Sequence, residues 1–86
     1  MTPKRSTPER EAVLRAVWEL QEEAEISGAA LARESGLGRV YLQRRLRGQV
    51  SFSLEDLAAI ASPLGVTRDE ILTRTGHVLD HLTDDQ

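Results

Sequence analysis

Residues 27–48, SGAALARESGLGRVYLQRRLRG, leave the chain few folds to choose from. Ser27 is an N-cap, because its hydroxyl can accept a hydrogen bond from a free backbone N–H of the first helical turn. Ala29, Ala30, Leu31 and Ala32 follow, mostly strong helix formers. Gly36 then sits where that helix must stop, since glycine tolerates the positive φ of a helix C-terminus. A second helix opens near Gly38 and Arg39 and runs to Arg47, with Gly48 as its stop. The segment predicts two short helices joined by a tight turn. Its charge is lopsided. Arg33, Arg39, Arg44, Arg45 and Arg47 stand against the single acid Glu34 between residues 33 and 47. The chain as a whole is acidic, with a formal net charge of −3. An arginine-rich helix in an acidic chain is a surface presented to something negative.

The remaining residues can supply the core that this pair needs. Eighty-six residues make one small domain with one modest core. Residues 1–7 are polar and read as a flexible basic arm carrying Lys4 and Arg5. Ser6 and Glu9 have capping-box spacing, and Pro8 suits a first helical turn. A helix is expected from about Pro8 to about Glu25, with Val13, Val17, Leu20 and Ala24 as its apolar stripe, widened by Leu14 and Trp18. The next two helices cover about Gly28 to Ser35 and about Arg39 to Arg47. Leu42 and Leu46 turn inward, so Val40, Gln43, Arg44 and Arg47 face outward, with Tyr41 and Arg45 on a flank. Ser53 and Asp56 open a fourth helix to about Ser62, with Leu54, Leu57, Ala58, Ile60 and Ala61 as core. Thr67 and Glu70 open a fifth, about Arg68 to Arg74, with Ile71 and Leu72 inward. The domain is thus expected over residues 8–74, followed by an acidic tail over 75–86. No strand pattern is present, so the fold class is all-α.

Several function classes drop out. With no cysteine there is neither a disulfide framework nor a thiolate metal site, and a reducing, cytoplasmic setting is the natural reading. His77 and His81 lie i,i+4 and have metal-ligand spacing, but other ligands nearby are few, and a solvated helix face is the plainer reading. No metal, cofactor or small-molecule ligand is evident. No apolar run approaches the roughly 20 residues needed to cross a bilayer, and the start, MTPKRSTPE, is no secretory signal. No nucleophile–base pair or phosphate-binding loop is assembled, so an enzyme is not expected.

The stretch ISGAALARESGLGRVYLQRRLRGQVSFSLEDLAAIASPLGVTRDEIL resembles the lambda repressor/Cro-type, or XRE-like, helix-turn-helix family. The resemblance covers roughly residues 13–73. It is carried by Ser27, Leu31, Ala32, Gly36, Leu42, Leu46, Gly48, Leu54, Leu57, Ile60, Ala61, Leu64, Gly65, Val66 and Ile71. It implies a compact five-helix domain whose third helix enters the DNA major groove while the second crosses the backbone. By the same resemblance Arg39, Val40 and Arg44 match base-reading positions, flanked by Tyr41 and Gln43. Arg47, with Arg45, Ser27 and Gly28, would meet phosphate. Two residues depart from the family pattern: Gly28 stands where relatives often carry glutamine, and Gly38 where they often carry serine or threonine.

Lys4 and Arg5 are candidates for an arm that follows the minor groove. Val78, Leu79 and Leu82 have helical spacing and little in the sequence to bury them, which marks them as a candidate dimer interface. The expected partner is an inverted-repeat operator in double-stranded DNA, bound by a homodimer associated with the nucleoid. The expected role is a transcriptional regulator, a small phage- or plasmid-type repressor or an antitoxin-like one. The alternative from another class is a protein-interaction module of the same fold that binds a toxin or a part of the transcription machinery.

Overall fold

A computed structural model describes residues 7–84, with side chains through Leu82. Helix α1 (Pro8–Ala24) starts at Thr7, whose hydroxyl accepts from the Arg10 N–H at 3.1 Å. The cap is therefore Thr7, one residue later than the Ser6 of the expected box. Pro8 occupies the first turn, where a missing N–H leaves no bond unmade. Glu25 closes the helix in the left-handed region at φ 54, and its N–H reaches the Gln21 and Glu22 carbonyls. The buried face is Ala12, Ala16, Val17 and Leu20. It is rotated from the expected stripe, for Ala24 is exposed and Trp18 is 45 % exposed.

Helices α2 (Gly28–Ser35) and α3 (Arg39–Leu46) flank the turn Gly36-Leu37-Gly38. Helix α4 (Leu54–Leu64) follows the loop over residues 47–53. Its capping box is complete: Ser53 Oγ accepts from the Asp56 N–H at 3.0 Å, and the Asp56 carboxylate accepts from the Ser53 N–H at 2.9 Å. The helix runs through Pro63, two residues past the expected stop. A proline in the last turn forfeits only one backbone bond, and Gly65, at φ 77, then closes the helix. Leu54, in the first turn, is 59 % exposed and not part of the core. The core packs Val17 and Leu20 from α1, Leu31 from α2 and Leu42 from α3 against Leu57, Ile60 and Leu64 from α4 and Ile71 beyond it.

Helix α5 (Arg68–Asp84) is the largest departure from expectation. Thr67 and Glu70 form the expected reciprocal cap, at 2.8 and 3.0 Å. The helix does not stop at Arg74, and residues 75–84 continue it. Gly76 costs a helix about 1 kcal/mol relative to alanine, which is less than the packing beyond it returns. Val78 is buried on Ala12 and Ala16, with Leu79 and Leu82 packed against the same cluster. Arg74 bridges Glu19 and Glu23 at 2.7–3.0 Å. These pairings join early α1 to late α5 and later α1 to earlier α5, so the two helices run antiparallel. The small Ala12 and Ala16 allow close approach. Val78, Leu79 and Leu82, read from the sequence as a candidate dimer interface, thus have a burial partner within the chain. Leu72 is 41 % exposed instead of facing inward. Lys4 and Arg5 lie outside the described residues.

Candidate nucleic-acid interface

The orientation of α3 follows from what pins it. Leu42 is fully buried and Leu46 is half-buried against the same core. At 100° per residue the opposite side must face solvent. Arg39, Val40, Gln43 and Arg44 are all exposed there, Val40 at 65 %. Arg47 follows as the C-cap and is exposed too. The side chains of Arg39, Arg44 and Arg47 make no hydrogen bond or ion pair among the described residues. Most other described arginines are engaged: Arg10 on the Gly48 carbonyl, Arg15 on Glu11, Arg33 near Glu34, Arg45 on Asp56 and Arg74 on two glutamates. Free guanidinium groups therefore concentrate on one short helix that carries no acid.

Tyr41 and Arg45 have a different job from the one expected. Tyr41 Oη donates to Asp56 Oδ1 at 2.7 Å, and Arg45 Nε donates to Asp56 Oδ2 at 2.9 Å. The Arg45 guanidinium lies 3.5 Å from the Tyr41 ring centroid, and Arg45 Nη1 donates to the Tyr41 carbonyl at 3.1 Å. Arg45 keeps only 15 % of its side-chain surface exposed, so its charge is turned inward. Tyr41, expected beside the base readers, and Arg45, expected on phosphate, thus clamp α3 to the start of α4. The physical reason is the buried Asp56 carboxylate, which needs donors on both oxygens.

Sequence reasoning found Asp56 as a cap partner of Ser53 and missed it as the acceptor for Tyr41 and Arg45. Burial alone would raise its pKa. The Ser53 backbone N–H, the Tyr41 hydroxyl and the Arg45 guanidinium outweigh that and hold it below the ordinary carboxylate value. The same bond pushes the Tyr41 phenol up, because ionisation would forfeit the link to Asp56 and set two negative charges side by side. The Ser53–Asp56 spacing and the i,i+4 pair Tyr41 and Arg45 were each visible in the chain. Nothing local joined them.

Two α1 side chains hold the far end of α3. Trp18 Nε1 donates to the Leu46 carbonyl at 2.9 Å, and Arg10 Nη2 donates to the Gly48 carbonyl at 3.1 Å. Helix α3 is thus fixed at its core face, its flank and its exit. Gly48 is needed at that exit. Its φ is +79°, and an added Cβ would stand 3.1 Å from Leu14 Cδ2. Gly48→Ala is expected to destabilise the domain by about 1–2 kcal/mol. Urea unfolding should show a larger loss than for Gly36→Ala, where φ is similar but nothing lies within 4 Å.

The start of α2 lies beside this exit. A Cβ on Gly28 would meet Leu46 Cδ1 at 3.5 Å, an ordinary contact, so packing does not demand glycine there. Ser27 is exposed and its hydroxyl caps the Ala30 N–H at 3.1 Å. Gly28 therefore sits beside Leu46, one residue before Arg47. Gly38, at φ 86, caps α3 without a side-chain bond.

Among the described residues no group of three or more His, Cys, Asp and Glu is placed to hold a metal, and no helix is long and apolar enough to cross a membrane. Residues 12–73 match the family described as helix-turn-helix domain, and the chain belongs to it. Domains of this kind are typical of DNA-binding regulators. No curated protein and no solved structure matches the chain.

Proposed function

We propose that this helix-turn-helix protein is a sequence-specific transcriptional regulator that reads double-stranded DNA with α3. The observation that carries the reading is the partner-free set Arg39, Arg44 and Arg47 on a helix pinned on its other sides. The major groove, about 12 Å wide, admits one α-helix. Arg39 and Arg44 are suited to guanine O6 and N7, Gln43 to adenine, and Val40 to a thymine methyl. Arg47 and the N-terminus of α2 at Ser27 and Gly28 take phosphate, where free N–H groups favour an anion.

So short a reader covers little DNA, and we assign it a homodimer on an inverted repeat with half-sites about 10 base pairs apart. The outer side of α5, where Leu72 is exposed, is the surface we assign to the second protomer. A small repressor, phage- or plasmid-type or antitoxin-like, fits this plan, and the reading includes no enzymatic step.

The test is selection of the full chain on a random double-stranded DNA library at moderate salt, followed by affinity measurements across salt concentrations. An enriched inverted repeat is expected, with log affinity falling linearly against log salt as phosphate counterions are released. No enrichment at any salt from folded protein would overturn the reading in favour of a protein-interaction module, whose affinity would change little with salt.

A further inference from the structure

Helices α1 and α3 carry matching exposed faces of opposite sign. On α1 and its cap, Trp18, Glu22 and Glu25 stand at i, i+4 and i+7, the spacing of one helix face. Trp18 is 45 % exposed, and all three residues line one shallow hollow. On α3 and its cap, Val40, Arg44 and Arg47 repeat that spacing. Val40 is 65 % exposed, and both arginines are exposed. Each face is one apolar side chain followed by two like charges, and over seven residues each spans about 10 Å.

None of these four charges is met within the chain. The side chains of Glu22, Glu25, Arg44 and Arg47 make no hydrogen bond or ion pair among the described residues. The two acids end α1, whose last turn has no base, although the negative end of a helix dipole favours cations. Trp18 is held by its Nε1 bond to the Leu46 carbonyl, so its ring is presented with little ordering left to do. Aromatic side chains held in this way anchor protein interfaces. The α1 face lacks a cation, and the α3 face lacks an anion.

We propose that the α3 face of one copy docks on the α1 face of a second, with Val40 against Trp18, Arg44 against Glu22 and Arg47 against Glu25. The pairing is heterologous and leaves each end copy one free face, so it builds rows or rings of copies and not a two-fold dimer. The two ion pairs set the register around the apolar contact. The docking itself does not depend on the DNA reading. Its regulatory consequence rests on that reading: DNA and a second copy compete for Arg44 and Arg47, so free protein is stored in assemblies that DNA dissolves.

The test is sedimentation of the full chain over a concentration series at low and high salt, with the emission of its single tryptophan recorded alongside. At low salt, species larger than a dimer are expected, with a blue shift as Val40 covers Trp18. High salt should abolish both. Glu22→Arg and Arg44→Glu should each weaken association roughly tenfold, because like charges then face each other. Both changes on one chain should restore it. If Glu22→Arg fails to fold, Glu25→Arg with Arg47→Glu repeats the comparison at the next pair. Leu72→Glu removes the α5 surface assigned to the DNA-bound dimer and should leave this association intact, so the two interfaces fail separately. Saturating duplex DNA should dissolve the assemblies. If DNA does not bind, the DNA reading fails and the charge reversals still decide the docking. A chain that stays monomeric or stops at a dimer, association that leaves Trp18 emission unmoved, or reversals that neither weaken singly nor restore together would overturn the proposal.

Discussion

Asp56→Ala will lower the unfolding free energy by about 3 kcal/mol, the usual scale for removing one partner of a buried ion pair. The substitution leaves the Arg45 guanidinium, 15 % exposed, without its counter-charge. It also strips the Ser53 N–H and the Tyr41 hydroxyl of their acceptor. Urea unfolding measures the loss. Asp56→Asn should not restore the stability, since an amide cannot accept on both sides and sets an N–H₂ against a donor. The sign of the pH dependence follows from the depressed pKa of Asp56. Its contribution is complete above the unfolded-state value near 3.8 and disappears as pH falls through the lower folded-state value. The stability difference between the natural chain and Asp56→Ala should therefore be constant at neutral pH and shrink in acid below 3.8. A difference that persists unchanged in strong acid would show that the carboxylate's charge is not what stabilises the clamp.

This clamp also marks where reading the chain as a string stops working. The Ser53–Asp56 and Thr67–Glu70 caps were legible because both partners sit within one turn. The outward side of α3 was legible because Leu42 and Leu46 fix its rotation, which leaves Arg39, Val40, Gln43 and Arg44 no other direction. Tyr41 and Arg45 sit at the edge of that face, where rotation alone does not decide. A partner 11 and 15 residues away decided it, and no local pattern announces such a partner. The C-terminal end of α5 failed for a related reason. Ala12 and Ala16 are weak apolar signals beside Val13 and Leu14, so the seat for Val78 was invisible and the expected helix ends at about Arg74. Once α1 presents those alanines, continuing the helix buries more than Gly76 costs.

The second large effect separates reading from folding on the same helix. Arg39→Ala/Arg44→Ala should lose about 2–6 kcal/mol of affinity for the selected site, from about 1–3 kcal/mol for each bidentate pairing with a base. That is roughly 30-fold to 10⁴-fold in Kd. Both side chains are exposed and make no bond among the described residues, so stability should stay within about 0.5 kcal/mol. Asp56→Ala behaves in the opposite way, with stability falling first and binding following because α3 is no longer held. Arg47→Ala gives a third pattern if it meets phosphate. Affinity drops evenly on the selected site and on unrelated DNA, and the slope of log affinity against log salt flattens by about 0.9 for each phosphate no longer neutralised. Binding measured on both DNAs at several salt concentrations, alongside urea unfolding, sorts the three. If the double substitution weakened selected and unrelated DNA by the same factor, the two arginines would be holding backbone, and sequence choice would have to come from Val40, Gln43 or the shape of the site. If it changed neither, α3 would not be the reading helix, and its bare arginines would point to an acidic protein surface.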